Sequence, residues 1–577
     1  MTDAESPRPL RSLTAVTNRL LTRGSPFEMD VVEIRGTPTR VWSHAPASLR
    51  ACLETSLEHG DAPALVYGEE SISHADYYRT AATLAHRLVD EYGIREGDRV
   101  AVAMRNYPEW VIAFFATASI GAIAVPLNSW WTGSELRFGL TDSGSKLLVA
   151  DGERLDRLAD VLPELSIPSI AVRTESALPE NSRSWHEVIG QVSPGVRLPE
   201  AAPDPDGPAT IFYTSGTTGL PKGAVGSHRN MIQNIVTGEY SRARTFMRLG
   251  LELSEYQAYV DALPTPSILC VLPLFHATGA QSIMLPILYR GGALVLMYKW
   301  DTEEALRLIE RERITSITAV PAMITQLMAS PNLSEYDLSS LLALSSGGAP
   351  APPAMASRVR GNLNDVLIGQ GYGLTECSAA AVTNGGPDYQ IRPESCGLPA
   401  PPVDVKVVDP VGTELPPGSV GEVWLNGPGV VIGYWERPEA TAEAFADGWL
   451  RTGDLGYLDD EGFLYIVDRA KDMIIRGGEN VYCAEVEAAI HEHPAVAEVA
   501  VTGVPHEVYG EEVGAVVHTL PEQFLDADEL RSYLEPRIAA FKIPAHIQIT
   551  KDDLPRNAAG KLLKKQIKRE HGWLGEE

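Results

Sequence analysis

Positive charge is what this chain is short of. Its 577 residues include 48 Lys and Arg against 76 Asp and Glu, a formal net charge of −28. Nucleic acid and anionic membrane surfaces attract basic proteins, so both are excluded as partners. Any phosphate site must be a local positive spot in a negative field. Cysteine is scarce too. Cys52, Cys270, Cys377, Cys396 and Cys483 have no metal-ligand spacing and leave one thiol unpaired, which points to a reducing cytoplasm. No transmembrane segment is expected. The most apolar stretch, Trp110 to Asn128, falls short of the ~20 apolar residues a span needs and meets Pro126. It reads as a buried helix running into a buried strand. The opening residues lack the apolar block of a secretory signal, and Leu10, Leu13, Val16 and Leu20 form a helical stripe expected to pack on the protein. No internal repeat is visible.

What remains is ordinary globular composition, 44% hydrophobic and 21% charged, in a chain long enough for roughly three or four structural units. Strand-like runs such as 99–104, 146–150, 268–274, 292–297 and 316–320 alternate with helical ones, which predicts parallel sheets covered by helices, an α/β fold. Past about residue 400 the strands become short and turn-separated, as in a small β subdomain. After residues 468–472 a helix, two strands and a further helix from Asp526, capped by Asp526 and Glu529, predict a compact α+β unit.

One stretch cannot be core. "YTSGTTGLPKGAVGSH" (213–228) crowds Thr214, Ser215, Thr217 and Thr218 among glycines beside Lys222. Hydroxyls, backbone N–H groups and one ammonium make a cradle for phosphate. It is not the usual phosphate loop, because Pro221 follows five residues after Gly216 and Ala224 five after Gly219, where that loop needs glycine.

Further motifs follow in order: "LPLFHATG" (272–279), "SSGGAP" (345–350), "GQGYGLTE" (369–376), "GEVWLNGPGVVIGYW" (421–435), "GWLRTGDLG" (448–456), "DRAKDMIIRGGENVYCAEVE" (468–487) and "LPRNAAGK" (554–561). Together with the Thr/Ser/Gly loop this series resembles the adenylate-forming superfamily of acyl-CoA synthetases, adenylation domains and luciferases, over roughly residues 45–570. Within it the chain looks most like medium- or long-chain fatty-acid–CoA ligases. The resemblance implies a large N-terminal domain of two stacked doubly wound α/β subdomains plus a small β-barrel subdomain, followed by a small mobile α+β C-terminal domain. Its boundaries would be an extension at 1–45, the large domain at 46–467, a hinge at 468–472 and the small domain at 473–577.

It also implies roles. A carboxylate would attack the α-phosphate of ATP, and two anions can meet only among cations and fixed dipoles. Thr214, Ser215, Gly216, Thr217, Thr218, Gly219 and Lys222 would hold the β- and γ-phosphates. Glu376 would bind Mg2+, a hard cation suited to carboxylate oxygen, and Thr375 would touch the α-phosphate. Gly348, Ala349, Pro350, Gly371, Tyr372 and Gly373 would enclose adenine, with Asp454, supported by Arg469, on the ribose. Lys561 would bridge carboxylate and α-phosphate as a positioned charge. Asn557 and Ala559 stand where many relatives carry Thr or Ser. Lys471 would be the pivot on which the small domain turns, and Gly477, Gly478 and Glu479 would form part of the tunnel for the CoA thiol.

The substrate signal is an absence. Phe275–His276–Ala277–Thr278 lacks the carboxylate that amino-acid-activating relatives use to hold an amine. His276 resembles an aromatic gate, "AQSIMLPILY" (280–289) is apolar, and Gly347 and Gly371 leave room. This implies a hydrophobic acid, fatty acyl before aryl or polycyclic, with CoA as acceptor before a carrier protein. The expected partners are therefore ATP, the acid and CoA; a homodimer is left open. The stretch 245–266 is expected to be a surface helix pair rather than a lid.

Overall fold

The protein is described here from a computed structural model, whose described residues are 10–175, 177–214, 220–348, 353–363, 366–520, 523–557 and 561–573. The first large sheet runs parallel from Pro208–Thr214 through Ile123–Pro126, Arg99–Ala103, Leu147–Asp151 and Ser169–Val172 to Ser182–Ser184, with Lys222–Ser227 and Gly433–Tyr434 added antiparallel at one edge. The second runs parallel from Leu367–Tyr372 through Ala343–Gly347, Ser316–Ala319, Ser267–Cys270 and Ala293–Leu296 to Pro63–Tyr67. Antiparallel strands close both of its ends.

A strand's period of two makes these sheets share a core. In Arg99–Ala103, Val100 and Val102 join a cluster that reaches across to the second sheet. Ala101 and Ala103 join a separate cluster with Leu148 and Leu155. Helix Pro108–Ser119, opened by a proline whose missing N–H costs nothing there, lies in the shared core. Its Trp110 and Phe114 rings stack at 5.2 Å. It leads into strand Ile123–Pro126 as expected from the sequence, and no helix among the described residues is long and apolar enough to cross a membrane.

The small β subdomain is a five-stranded antiparallel sheet built from Asp404–Val408, Gly421–Asn426, Phe445–Ala446, Trp449–Leu458 and Leu464–Arg469. After Arg469, strand Ile474–Arg476 already belongs to the last sheet, where Gly510–Thr519 pairs with Val496–His506 and, in parallel, with His546–Thr550. Helices Cys483–His491 and Ala527–Leu534 pack on one face through Val499 and Val501, and helix Lys564–Glu570 packs on the other through Ala500 and Ile567. Asp526 caps its helix by accepting from the N–H groups of Asp528 and Glu529.

Helix Leu13–Leu20 packs Val16 and Leu20 on Tyr240 and Met247 of helix His228–Arg248. The stretch 245–266 is a helix pair: that helix ends, Leu253–Ala262 follows, and Arg11 ties the turn by bonds to Gly250 O and Glu252 at 2.7 Å.

Candidate active site

The loop expected to cradle phosphate starts where two antiparallel strands end. Thr214 and Lys222 face each other across the last rung of that hairpin, and the Thr214 hydroxyl donates to Lys222 O at 3.3 Å. Ser215, Gly216, Thr217, Thr218 and Gly219 lie outside the described residues. The Lys222 ammonium sits 5.2 Å from the centroid of the Tyr434 ring, and the Tyr434 hydroxyl donates to Glu376 Oε1 at 2.7 Å. One tyrosine thus links the loop's cation to the acidic residue. Burial and the neighbouring Glu376 both push the Tyr434 phenol up, keeping it protonated as a donor. Tyr434 is quoted within a motif but given no role by the sequence. The only signal for it was an aromatic after glycine in a strand beside the loop.

Thr375 and Glu376 occupy a single 3-10 turn, Thr375–Cys377, that follows strand Leu367–Tyr372. Gly373 makes the turn possible, since a Cβ there would lie 1.6 Å from Ala379 O. Glu376 has one oxygen held by Tyr434 and its backbone carbonyl bonded to Val431 N–H at 3.0 Å, so its position is fixed from two sides.

A second cluster forms around Asp454. This buried residue accepts the Tyr372 hydroxyl on Oδ2 at 2.8 Å and pairs with Arg469 through Oδ1 at 3.1 Å. Asp454 and Arg469 are direct partners on adjacent strands, and the Thr452 hydroxyl receives the Asp454 N–H at 3.0 Å. Lys561 comes in from the small domain. Its side chain is partly buried, and that burial, together with Arg469 and Lys471, lowers its ammonium to about 8 against the opposing pull of Asp454. Asn557 anchors its backbone by accepting the Lys561 N–H at 2.9 Å. Lys471 is lowered as well, first by burial and then by Arg469.

His276 is set into apolar surroundings. Burial drops it to about 4, so it is neutral, its Nε2 has no partner, and its ring lies 4.7 Å from that of Phe275. The chain then enters a π-helix, Thr278–Met284, a form that often marks functional positions. Gly347 and Gly371 face each other across adjacent strands, where an added Cβ would come 3.5 Å from Gly371 O and 3.7 Å from Val382 O respectively, and Gly348 takes φ +78°. Ala349 and Pro350 lie outside the described residues.

Gly477 and Gly478 are the two turn residues of a hairpin at φ +59° and +90°, a pair of left-handed positions suited to glycine. Together with Glu479 they are exposed, and Gly477 N–H bonds Tyr509 O within the small domain at 2.8 Å. The structure therefore links Lys222 and Glu376 through Tyr434 and gathers Tyr372 and Arg469 on Asp454, with Lys471 and Lys561 near enough to feel its charge. The hairpin remains facing solvent.

Comparison with known proteins identifies the family. The model of the AMP-binding enzyme family matches residues 53–435, and that of the AMP-binding enzyme C-terminal domain matches 485–561. The chain belongs to this family of adenylate-forming enzymes. It is 35% identical to a feruloyl-CoA synthase of Amycolatopsis sp, covering 89% of this chain and 96% of that one. Identity is 34% to the long-chain-fatty-acid–CoA ligase FadD13 of Mycobacterium tuberculosis, over 88% and 95% of the two chains. Among solved structures, ATP-bound MatB from Rhodopseudomonas palustris superposes with a TM-score of 0.78 at 31% identity, covering 91% of this chain and 99% of that one.

Proposed function

We propose that this acid–thiol ligase uses ATP to convert a hydrophobic carboxylic acid, a fatty acid first, to an acyl-adenylate and then passes the acyl group to CoA. The observation that carries the proposal is the Tyr372–Asp454–Arg469 cluster, close enough for Asp454 and Arg469 to act electrostatically on Lys561, together with a neutral His276 beside Phe275. A carboxylate is a poor acyl donor because its leaving group would be oxide. Attack of its oxygen on the α-phosphorus forms the acyl–phosphate bond and releases pyrophosphate; the new leaving group is AMP. In the second step the CoA sulfur bonds to the acyl carbon and AMP departs.

Each cluster suits one part of this work. Thr214, Lys222 and the loop between them would hold the β- and γ-phosphates, and Thr375 would reach the α-phosphate. Asp454, already an acceptor for Tyr372 and Arg469, would take the ribose hydroxyls, with the Tyr372 ring and the backbone at Gly348 beside the base. Lys561 would hold the incoming carboxylate against the α-phosphate, and Lys471 would be the pivot that afterwards lets the Gly477–Gly478 hairpin replace it. Glu376 fits a role toward Mg2+ carried in with ATP, since the Tyr434 bond to its Oε1 fixes a carboxylate, a hard oxygen donor, beside Lys222. When bound, such an ion neutralises phosphate charge.

Neutral His276, the absence of side chains at Gly347 and Gly371 and the buried Ile283 and Met284 favour an apolar acyl chain. A second reading, an aryl acid bearing oxygen, is favoured by Gln281 Oε1 and Ser282 Oγ, buried polar atoms of the π-helix without partners. ATP–pyrophosphate exchange across a panel of acids tests both. Rates for straight chains should rise with length until the pocket is full, each buried methylene being worth about 0.8 kcal/mol. A preference for acetate or α-amino acids contradicts the proposal, and a sharp preference for hydroxylated ring acids selects the second reading. Mass spectrometry of the product with CoA or with a carrier protein identifies the acceptor.

A further inference from the structure

The first helix of the small domain, Cys483–His491, does not cap itself. Its N-cap, Tyr482, provides no side-chain acceptor, yet the opening N–H groups of a helix need one. The acceptor comes from across the hinge. Asp468 Oδ2 receives the Cys483 N–H, and Oδ1 receives the Arg469 N–H at 2.7 Å. Asp468 is anchored in the β subdomain, where it pairs with Leu455 in the strand ladder. The joint between it and the helix is sealed. Asp468 is 8% exposed and Cys483 is buried. The Cys483 thiol donates to Asp472 O at 3.0 Å, and Lys564 of the last helix pairs with Glu487 at 2.8 Å close by.

A carboxylate on one side of the proposed pivot thus satisfies an orphan donor on the other, in the same pose in which Asp454 acts electrostatically on Lys561. A turn about Lys471 would leave Asp468 with the large domain and carry Cys483 and Lys564 away. We propose that Asp468 is a positioning residue: by capping the small domain's first helix across the hinge it holds Lys561 in the adenylating pose, and this bond is released before thiol transfer. The proposal rests on the domain-alternation reading given above.

Protonation gives it a signature. Burial holds the Asp468 carboxyl up at about 6, opposed by the Lys564 ammonium; Glu487 and the Cys483 thiol also face it, from the helix it caps, beside Arg469 on its own strand. An acid whose pKa is raised in one pose stabilises that pose at low pH, an effect lost as pH rises through about 6. Acidification from about pH 7.5 to about 5.5 should therefore slow transfer relative to adenylation.

The test uses the full-length protein and both half-reactions. Asp468→Ala should reduce ATP–pyrophosphate exchange about tenfold, the scale of a lost helix cap. It should leave transfer from supplied acyl-adenylate to CoA unchanged and flatten the pH dependence of their ratio. Equal loss of both halves, no loss in either, or an unaltered pH dependence overturns the proposal. If the alanine variant does not fold, Asp468→Asn retains the bulk and should still abolish the pH dependence; its persistence overturns the proposal equally. If Lys561→Ala separates the half-reactions and Asp468→Ala does not, alternation stands and the latch falls. If neither separates them, both fall.

Discussion

At the scale of single residues, Lys561 carries a charge that its surroundings oppose. Burial comes first among the causes, then Arg469, with Asp454 opposing, and together they bring its ammonium to about 8. Above that pH the side chain loses the proton that gives it its charge. Adenylation, measured as kcat/KM for ATP in pyrophosphate exchange, should decline as pH rises through about 8, because kcat/KM reports groups of the free enzyme. Lys561→Arg should move that decline to higher pH, since a guanidinium stays charged throughout. A flat or rising profile for the parent enzyme would show that the lysine's charge is not used. Tyr434 works at the same scale. Its contacts with Lys222 and Glu376 make it the side chain that links the proposed phosphate loop to the acidic turn.

At the scale of elements, the segment between Arg469 and Ile474 is the sole covalent link between the strand that carries Asp468 and the first strand of the small domain. Lys471→Pro would fix φ there and remove an N–H. Adenylation should survive if the pose with Lys561 facing Asp454 is the adenylating one, while overall thioester synthesis should fall much further; single-turnover assays of each half-reaction measure this. Equal losses would remove Lys471 as the pivot. The elements themselves were largely legible. The apolar runs 99–104 and 146–150 give strands because both of their faces are buried, successive residues entering two different core clusters, and the apolar run from Trp110 gives a buried helix because both sheets cover it. Other features lie beyond local pattern. The bonds of Tyr372 to Asp454 and of Asp468 to Cys483 join residues whose meeting depends on how strands from different parts of the chain are placed. The π-helical form of Thr278–Met284 has no periodicity that separates it from an ordinary helical turn. The motif glycines were legible as glycines; the structure adds the reason at Gly373, where any Cβ would strike Ala379 O.

At the scale of the molecule, two sheets packed through one core form a fixed platform, and a small sheet with its own core is joined to it by a few residues. That division suits an enzyme that needs one constellation for phosphorus chemistry and another for acyl transfer. In the present pose Asp454 acts electrostatically on Lys561 while the Gly477–Gly478 hairpin faces solvent, so under the proposed mechanism the small domain turns between the two steps. The central claim is that these two chemistries use different faces of one domain. The most direct measurement is Lys561→Ala assayed in each half-reaction separately. Acyl-AMP formation should drop by roughly 10²–10³, as expected for loss of one preorganised donor, while transfer from supplied acyl-adenylate to CoA stays near the parent rate. Adenylation at the parent rate, or collapse of both steps together, would contradict the account.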